Sequence, residues 1–205
     1  TPRMSIAGPT IQGISYTVEE TELRAMYLNL LATASDERCH NDAHPSFAEV
    51  IRQLNVAEAE LLPRILRDGQ VPIAQLRLNS ATADDPAAQG YIEIENNLMG
   101  WIDDEGEPTR NADGSMWLEN WVRLGLVTIS YSHWLNNDAV YSWVESSPAV
   151  VEAREQFDTD AFKRIEVQRG LLTVTDFGKK FERVVINRPT TDVEPQTIPD
   201  GEGEA

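Results

Sequence analysis

The chain has 205 residues, a net charge of −17 and 41% apolar residues. That is enough to bury a real core and too much for a fibrous or wholly disordered chain. No apolar run approaches the ~20 residues of a membrane-spanning helix, nothing reads as a signal peptide, and the acidic excess opposes general nucleic-acid binding, because phosphate neutralisation needs Lys and Arg.

Residues 1–16 contain Pro2, Gly8, Pro9 and Gly13 without a period, which predicts an extended N-terminal segment. Thr17, with Glu20 three positions on, reads as a capping box opening a helix. Leu23, Met26, Tyr27, Leu30, Leu31 and Ala34 then recur at helical spacing. A polar loop follows, and Ser46 with Glu49 forms a second capping box before Phe47, Val50, Ile51 and Leu54. Asn55 and Glu58 cap a third helix, in which Pro63 predicts a kink or an early break and Gly69 a C-terminal stop. Val71–Leu78 reads as a strand, and residues 17–78 form the helical N-terminal part.

Residues 79–115 carry nine acidic residues and one Arg. Their turn-forming pairs are interrupted by Tyr91, Ile92, Ile94, Leu98, Met99, Trp101 and Ile102, which predicts an insertion docked through apolar residues with its charges in water. Residues 116–187 return to regular structure. Trp117, Trp121 and Leu124 lie on a helix that Gly125 can end, and Val127, Ile129 and Tyr131 alternate as a strand. The Asn136-Asn137-Asp138 turn predicts a hairpin with Ala139–Val144. Ser147 and Pro148 open a helix reaching Phe157. Ile165 and Val167, an Arg169-Gly170 turn, and Leu172 and Val174 predict a second hairpin, and Asp176 begins the last helix. Residues 188–205 contain three Pro and five acids without a period, which predicts a disordered acidic tail.

The fold class expected from this order is α+β and mainly helical. A helix running into antiparallel strands makes residues 116–187 a winged-helix-like module with two β-hairpins, preceded by the acidic insertion. Its recognition helix would be Trp117–Gly125, with the strands at Val127 and Leu172 as the wing.

Cys39, His40 and His44 are the only dense group of metal-capable side chains. A zinc site needs about four ligands in tetrahedral array, and neighbours in sequence rarely converge on one ion. An ordinary polar loop is therefore the expectation, and no cofactor is assigned. A Cys–His–Asp nucleophile on the same residues lacks any placed base. The Asn111-x-Asp113-Gly114 stretch fails the hand-type calcium pattern, because Thr109 stands where its first Asp belongs and Asn120 at its last ligand position, and the acids from Asp103 to Glu107 are expected to form a solvated loop. Trp101, Trp134 and Trp143 are candidates for contact with a protein partner, aromatic residues being enriched at interfaces. For nucleic acid the candidates are Arg123, Lys179, Lys180 and Arg183. The 163–188 stretch holds seven basic and three acidic residues, and pairing with the acidic insertion is the favoured reading of that excess. Cys39 is the single cysteine, which rules out an intramolecular disulfide framework and suits a reducing cytoplasm.

Several separated fragments follow one pattern. They are Leu23-x3-Tyr27-Leu28-Asn29-Leu30-Leu31-Ala32, His44-Pro45-Ser46-Phe47, Leu54-x3-Glu58-Ala59, Leu124-Gly125-Leu126 and Leu172-Thr173-x-Thr175-x-Phe177-Gly178-x2-Phe181. Their order and spacing across residues 10–187 resemble the abortive-infection alpha family of prokaryotic proteins. The resemblance implies a bacterial protein linked to anti-phage defence and carries no catalytic residue. Its relatives often have an extra N-terminal region, which fits a start at Thr1 and leaves membrane association through such a region open. The expected role is a non-enzymatic module that binds a protein partner or itself, with a winged-helix DNA-binding regulator as the alternative.

Overall fold

The structure is a computed structural model that describes residues 1–79, 90–158 and 163–187. The helices are α1 (Met4–Tyr16), α2 (Thr21–Ser35), α3 (Ser46–Arg52), α4 (Val56–Asp68), α5 (Gly114–Arg123), α6 (Pro148–Phe157) and α7 (Asp176–Phe181). A 3-10 helix spans Asp138–Ser146, and α7 continues as a π-turn over Glu182–Ile186. The strands are β1 (Gln70–Asn79), β2 (Tyr91–Leu98), β3 (Val127–Ser130) and β4 (Ile165–Val174). They form one antiparallel sheet in the order β2-β1-β4-β3.

The N-terminal expectation is corrected: residues 4–16 are helical, not extended. The buried residues of α1 are Ile6, Ala7, Thr10 and Gly13, and the last two carry no hydrophobic signal. Thr10 donates its hydroxyl back to the Ile6 carbonyl at 2.7 Å, so its burial leaves no polar group unmet. A Cβ at Gly13 would stand 2.3 Å from the Tyr27 ring, so glycine is what lets α1 close on α2. Thr17 ends α1 instead of opening α2, donating its hydroxyl to the Gly13 carbonyl at 3.1 Å.

The α2 stripe is buried at Leu23, Met26, Tyr27, Leu30 and Ala34, as its spacing predicts, while Leu31, predicted with them, is only half-buried. Ser46 does not cap α3. His44 does, its Nδ1 accepting from the Ser46 backbone N–H at 3.2 Å and lying 2.6 Å from Ser46 Oγ. The Asn55–Glu58 capping box is formed. Pro63 neither breaks nor ends α4, which runs on to Asp68 and stops at Gly69, φ 73°.

Both predicted hairpins are absent. The 139–144 stretch is 3-10 helix, and Arg169 and Gly170 are interior residues of the continuous strand β4. Gly170 is a packing glycine, because a Cβ there would meet the Tyr131 ring at 2.5 Å. β4 pairs with β1 from Gln70↔Thr173 to Leu78↔Ile165, and its last residues also pair with β3, Ile129 facing Leu172. The 79–115 segment is more than a docked insertion, since it supplies the sheet strand β2. The rest of that expectation, at 80–89, and the predicted disordered tail lie outside the described residues.

The main core sits between α1–α5, α7 and one sheet face, around Leu30, Leu62, Ile73, Trp121 and Leu172. A smaller core covers the other face, where Ala74, Leu76 and Ile165 meet Tyr141, Val144 and Val150. Burying one such Leu or Ile stabilises by about 1.5–3 kcal/mol. Trp117 and Trp121 lie in the main core as their spacing predicts, although neither indole N–H has an acceptor among the described residues.

Candidate functional site

The segment between β2 and α5 is held from across the sheet. Asn97 adopts φ 58°, a left-handed conformation that Asn tolerates better than other side chains. Its backbone N–H donates to Tyr131 Oη at 2.9 Å, and the Tyr131 hydroxyl donates to Asn97 Oδ1 at 2.9 Å. Burial pushes the Tyr131 hydroxyl above the usual tyrosine pKa. Beyond this anchor the chain sets two indoles on two glycines. The Trp143 ring lies against Gly100, where a Cβ would be 2.8 Å away, and the Trp101 ring lies against Gly114 at the same distance. Trp101 also meets Trp117 edge-on, with centroids 6.1 Å apart and planes at 83°, a favourable geometry for aromatic pairs.

Trp101 and Trp143 therefore wall one cleft of about 340 Å³, with Leu61, Ile65, Pro72 and Met99 completing the apolar lining. Arg64 and Asp68 of α4 also line it. Ile102, 61% exposed, stands at its mouth.

After Ile102 the chain turns back on itself. Ile102 bridges Pro108, and the Asp103 backbone N–H donates to the Glu107 carbonyl at 3.0 Å. Asp103 Oδ1 accepts from the N–H groups of Glu105 and Glu107 at 3.1 and 2.8 Å. The tip thus presents Asp103, Asp104, Glu105 and Glu107, and no ion pair among the described residues reaches any of them. Arg110, the nearest cation in sequence, is drawn to Glu95 at 2.8 Å and Glu152 at 2.9 Å.

The other sequence candidates are placed elsewhere. Trp134 is 50% exposed and lies outside the cleft lining. Cys39 Sγ faces the Thr33 carbonyl at 3.9 Å, and His40 Nδ1 the Glu37 carbonyl at 3.0 Å, while His44 caps α3. Among the described residues no group of three or more His, Cys, Asp or Glu side chains is placed to hold a metal ion. Arg123 donates to Gln53 Oε1 at 2.8 Å and to Asn120 Oδ1 at 2.6 Å. Lys179 pairs with Asp176 at 3.2 Å, and Lys180 and Arg183 share Asp42 at 3.6 and 3.2 Å. Among the described residues the basic helix is answered by Asp42 and Asp176, and residues 80–89 of the acidic segment lie outside them. Sequence reasoning missed Gly100, Gly114 and the Asn97–Tyr131 anchor, because only the fold shows which ring lies on which backbone.

Fold and cleft define an α+β protein with one antiparallel sheet and an aromatic-walled surface site beside an acidic tip. The family model described as abortive infection alpha matches residues 1–185, and the chain belongs to that family. A search of curated proteins found no match. The chain is also similar to a solved structure of an uncharacterised protein from the hydrocarbon-degrading marine bacterium Alcanivorax borkumensis SK2. The two share 16% identity with a TM-score of 0.37, over 67% of this chain and 90% of that one. No helix among the described residues is long and apolar enough to cross a membrane.

Proposed function

We propose that this chain is a non-enzymatic interaction module of an abortive-infection protein, acting in the bacterial cytoplasm by binding a protein partner through the Trp101–Trp143 cleft. One observation carries the reading: two of the three tryptophans proposed for partner contact wall the same cleft. Large, rigid aromatic side chains in a concave, partly desolvated patch are the usual anchors of protein interfaces. Within this reading the α5–β3–β4 unit is the winged-helix-like scaffold, serving as a support for the cleft rather than a groove reader. The DNA-binding alternative draws less support, since its candidate cations already have carboxylate or amide partners.

The test is a phage challenge of bacteria carrying the gene, at low and high phage-to-cell ratios, with wild type and the Trp101→Ala/Trp143→Ala variant. Wild type is expected to protect at low ratio and to collapse at high ratio, with the variant losing protection while it stays folded and abundant. A folded double variant that protects like wild type refutes the cleft as the working surface.

A further inference from the structure

We infer that the occupant of the cleft is a basic segment of a partner protein, with a large apolar side chain flanked by lysines or arginines. The inference rests on the reading of the cleft as the partner site and adds the chemistry of what enters it.

Shape gives the apolar half of the argument. A cleft of about 340 Å³ between two indoles, closed below by Leu61, Ile65 and Met99, has room for a bulky side chain and not for a folded surface. Ile102 extends the apolar wall outward.

Charge gives the other half. The chain leaving Ile102 bears four carboxylates within five residues, Asp103 to Glu107, and only Asp103 is engaged, by backbone N–H groups. Asp68 and Arg64, the charged residues of the lining, offset each other, so the negative charge comes from the tip, which continues directly from the lining residue Ile102. An incoming segment that fills the apolar cleft therefore meets an acidic tip where the chain leaves it. Such complementarity steers encounter and suppresses wrong partners.

The same bookkeeping argues against a second copy. Among the described residues the last helix concentrates cations, and there Lys179, Lys180 and Arg183 are held by Asp176 and Asp42. Two chains of −17 each would also repel on approach.

The experiment uses the full chain and fluorescence anisotropy of a labelled synthetic peptide, in which lysines flank a central Leu-Phe pair. Two control peptides keep the length, one with Ser-Ser at the centre and one with glutamates for lysines. The Leu-Phe peptide is expected to bind at least tenfold more tightly than either control, and to weaken as salt is raised. Asp104→Lys/Glu105→Lys/Glu107→Lys is expected to lower its affinity at least tenfold and to flatten the salt dependence. Trp143→Ala is expected to lower affinity and leave the salt dependence in place. Equal binding of the Ser-Ser peptide, or an unchanged affinity in the tip variant, overturns the inference. The two readings fail separately. A tip variant that still protects against phage, beside a tryptophan variant that does not, leaves the cleft as the partner site and removes the basic occupant. A protecting tryptophan variant removes the cleft whatever the peptide does.

Discussion

Two sets of carboxylates in this molecule are treated in opposite ways. In the helical half two of them, Glu58 and Asp42, tie separate elements together. Glu58 is buried, accepts from the Asn55 backbone N–H at 2.9 Å and from Asn120 Nδ2 at 2.8 Å, and so ties the start of α4 to α5. Asp42 is shared by Lys180 and Arg183 and fastens the loop before α3 to the last helix. In the 103–107 tip, Asp104, Glu105 and Glu107 meet no cation among the described residues. A count of charge along the chain treats these groups alike. What separates them is whether the fold has already used them, and an unused charge beside an apolar cleft is available to a partner.

Substitutions can break or sharpen this contrast. The largest effect on stability is expected for Glu58→Ala, which removes the Glu58 half of the capping box, leaving the Asn55 N–H without its acceptor and Asn120 without one of its two. It should cost about 2–4 kcal/mol, seen as a thermal midpoint lower by roughly 4–16 °C. Next is Tyr131→Phe, expected to cost about 1–2 kcal/mol at neutral pH because both Asn97 groups lose their partner. It also has a pH signature. Burial holds the Tyr131 and Tyr27 hydroxyls above the usual value, so the folded chain keeps protons that the unfolded chain releases near pH 10. Stability is then full below about pH 10 and falls as pH rises toward the folded values. Denaturant titrations across that range should show a shallower fall in Tyr131→Phe. A smaller cost, under about 1 kcal/mol, is expected for Asp42→Ala, since the pairs it breaks are solvent-exposed; chemical denaturation midpoints measure it. The tip variant Asp104→Lys/Glu105→Lys/Glu107→Lys should change stability least, within about 0.5 kcal/mol. A large loss of stability there would mean that the tip acids serve the fold after all, and the contrast would dissolve.

The parts of the fold legible in the sequence are those where one strong local signal agrees with the tertiary structure. Leu23 to Ala34 mark α2, Asn55 and Glu58 mark the start of α4, and Pro148 marks that of α6. The misreadings share a cause: a residue chosen for a neighbour that the sequence does not place. Gly13 looked like a helix breaker but makes room for Tyr27. Gly170 looked like a turn but lies under Tyr131 inside a ten-residue strand. Ala139 to Val144 follow a turn and are apolar enough for a partner strand, yet Tyr141 and Val144 are needed together against the smaller core, and a 3-10 helix with a period near three provides that. The candidate site was half legible. Trp101 and Trp143 could be singled out, together with Trp134, as aromatic candidates for a partner contact, and the acids of the tip could be counted. That both rings enter one cleft depends on Gly100, Gly114 and a tyrosine far along the chain, none of which announces itself in one dimension.

The central place of β4 sets the order in which the protein can be made. β1 and β2 leave the ribosome early and can pair, but the strand that completes β1 on its other side begins at Ile165. Tyr131, which steadies the chain entering the cleft, rests on Gly170 of that same late strand. Contacts between distant parts of a chain form slowly and only once both parts exist. A nascent or prematurely terminated chain therefore has no finished cleft to offer. The cleft proposed as the partner site is thus complete only once β4 has been made, however far the chain runs beyond it.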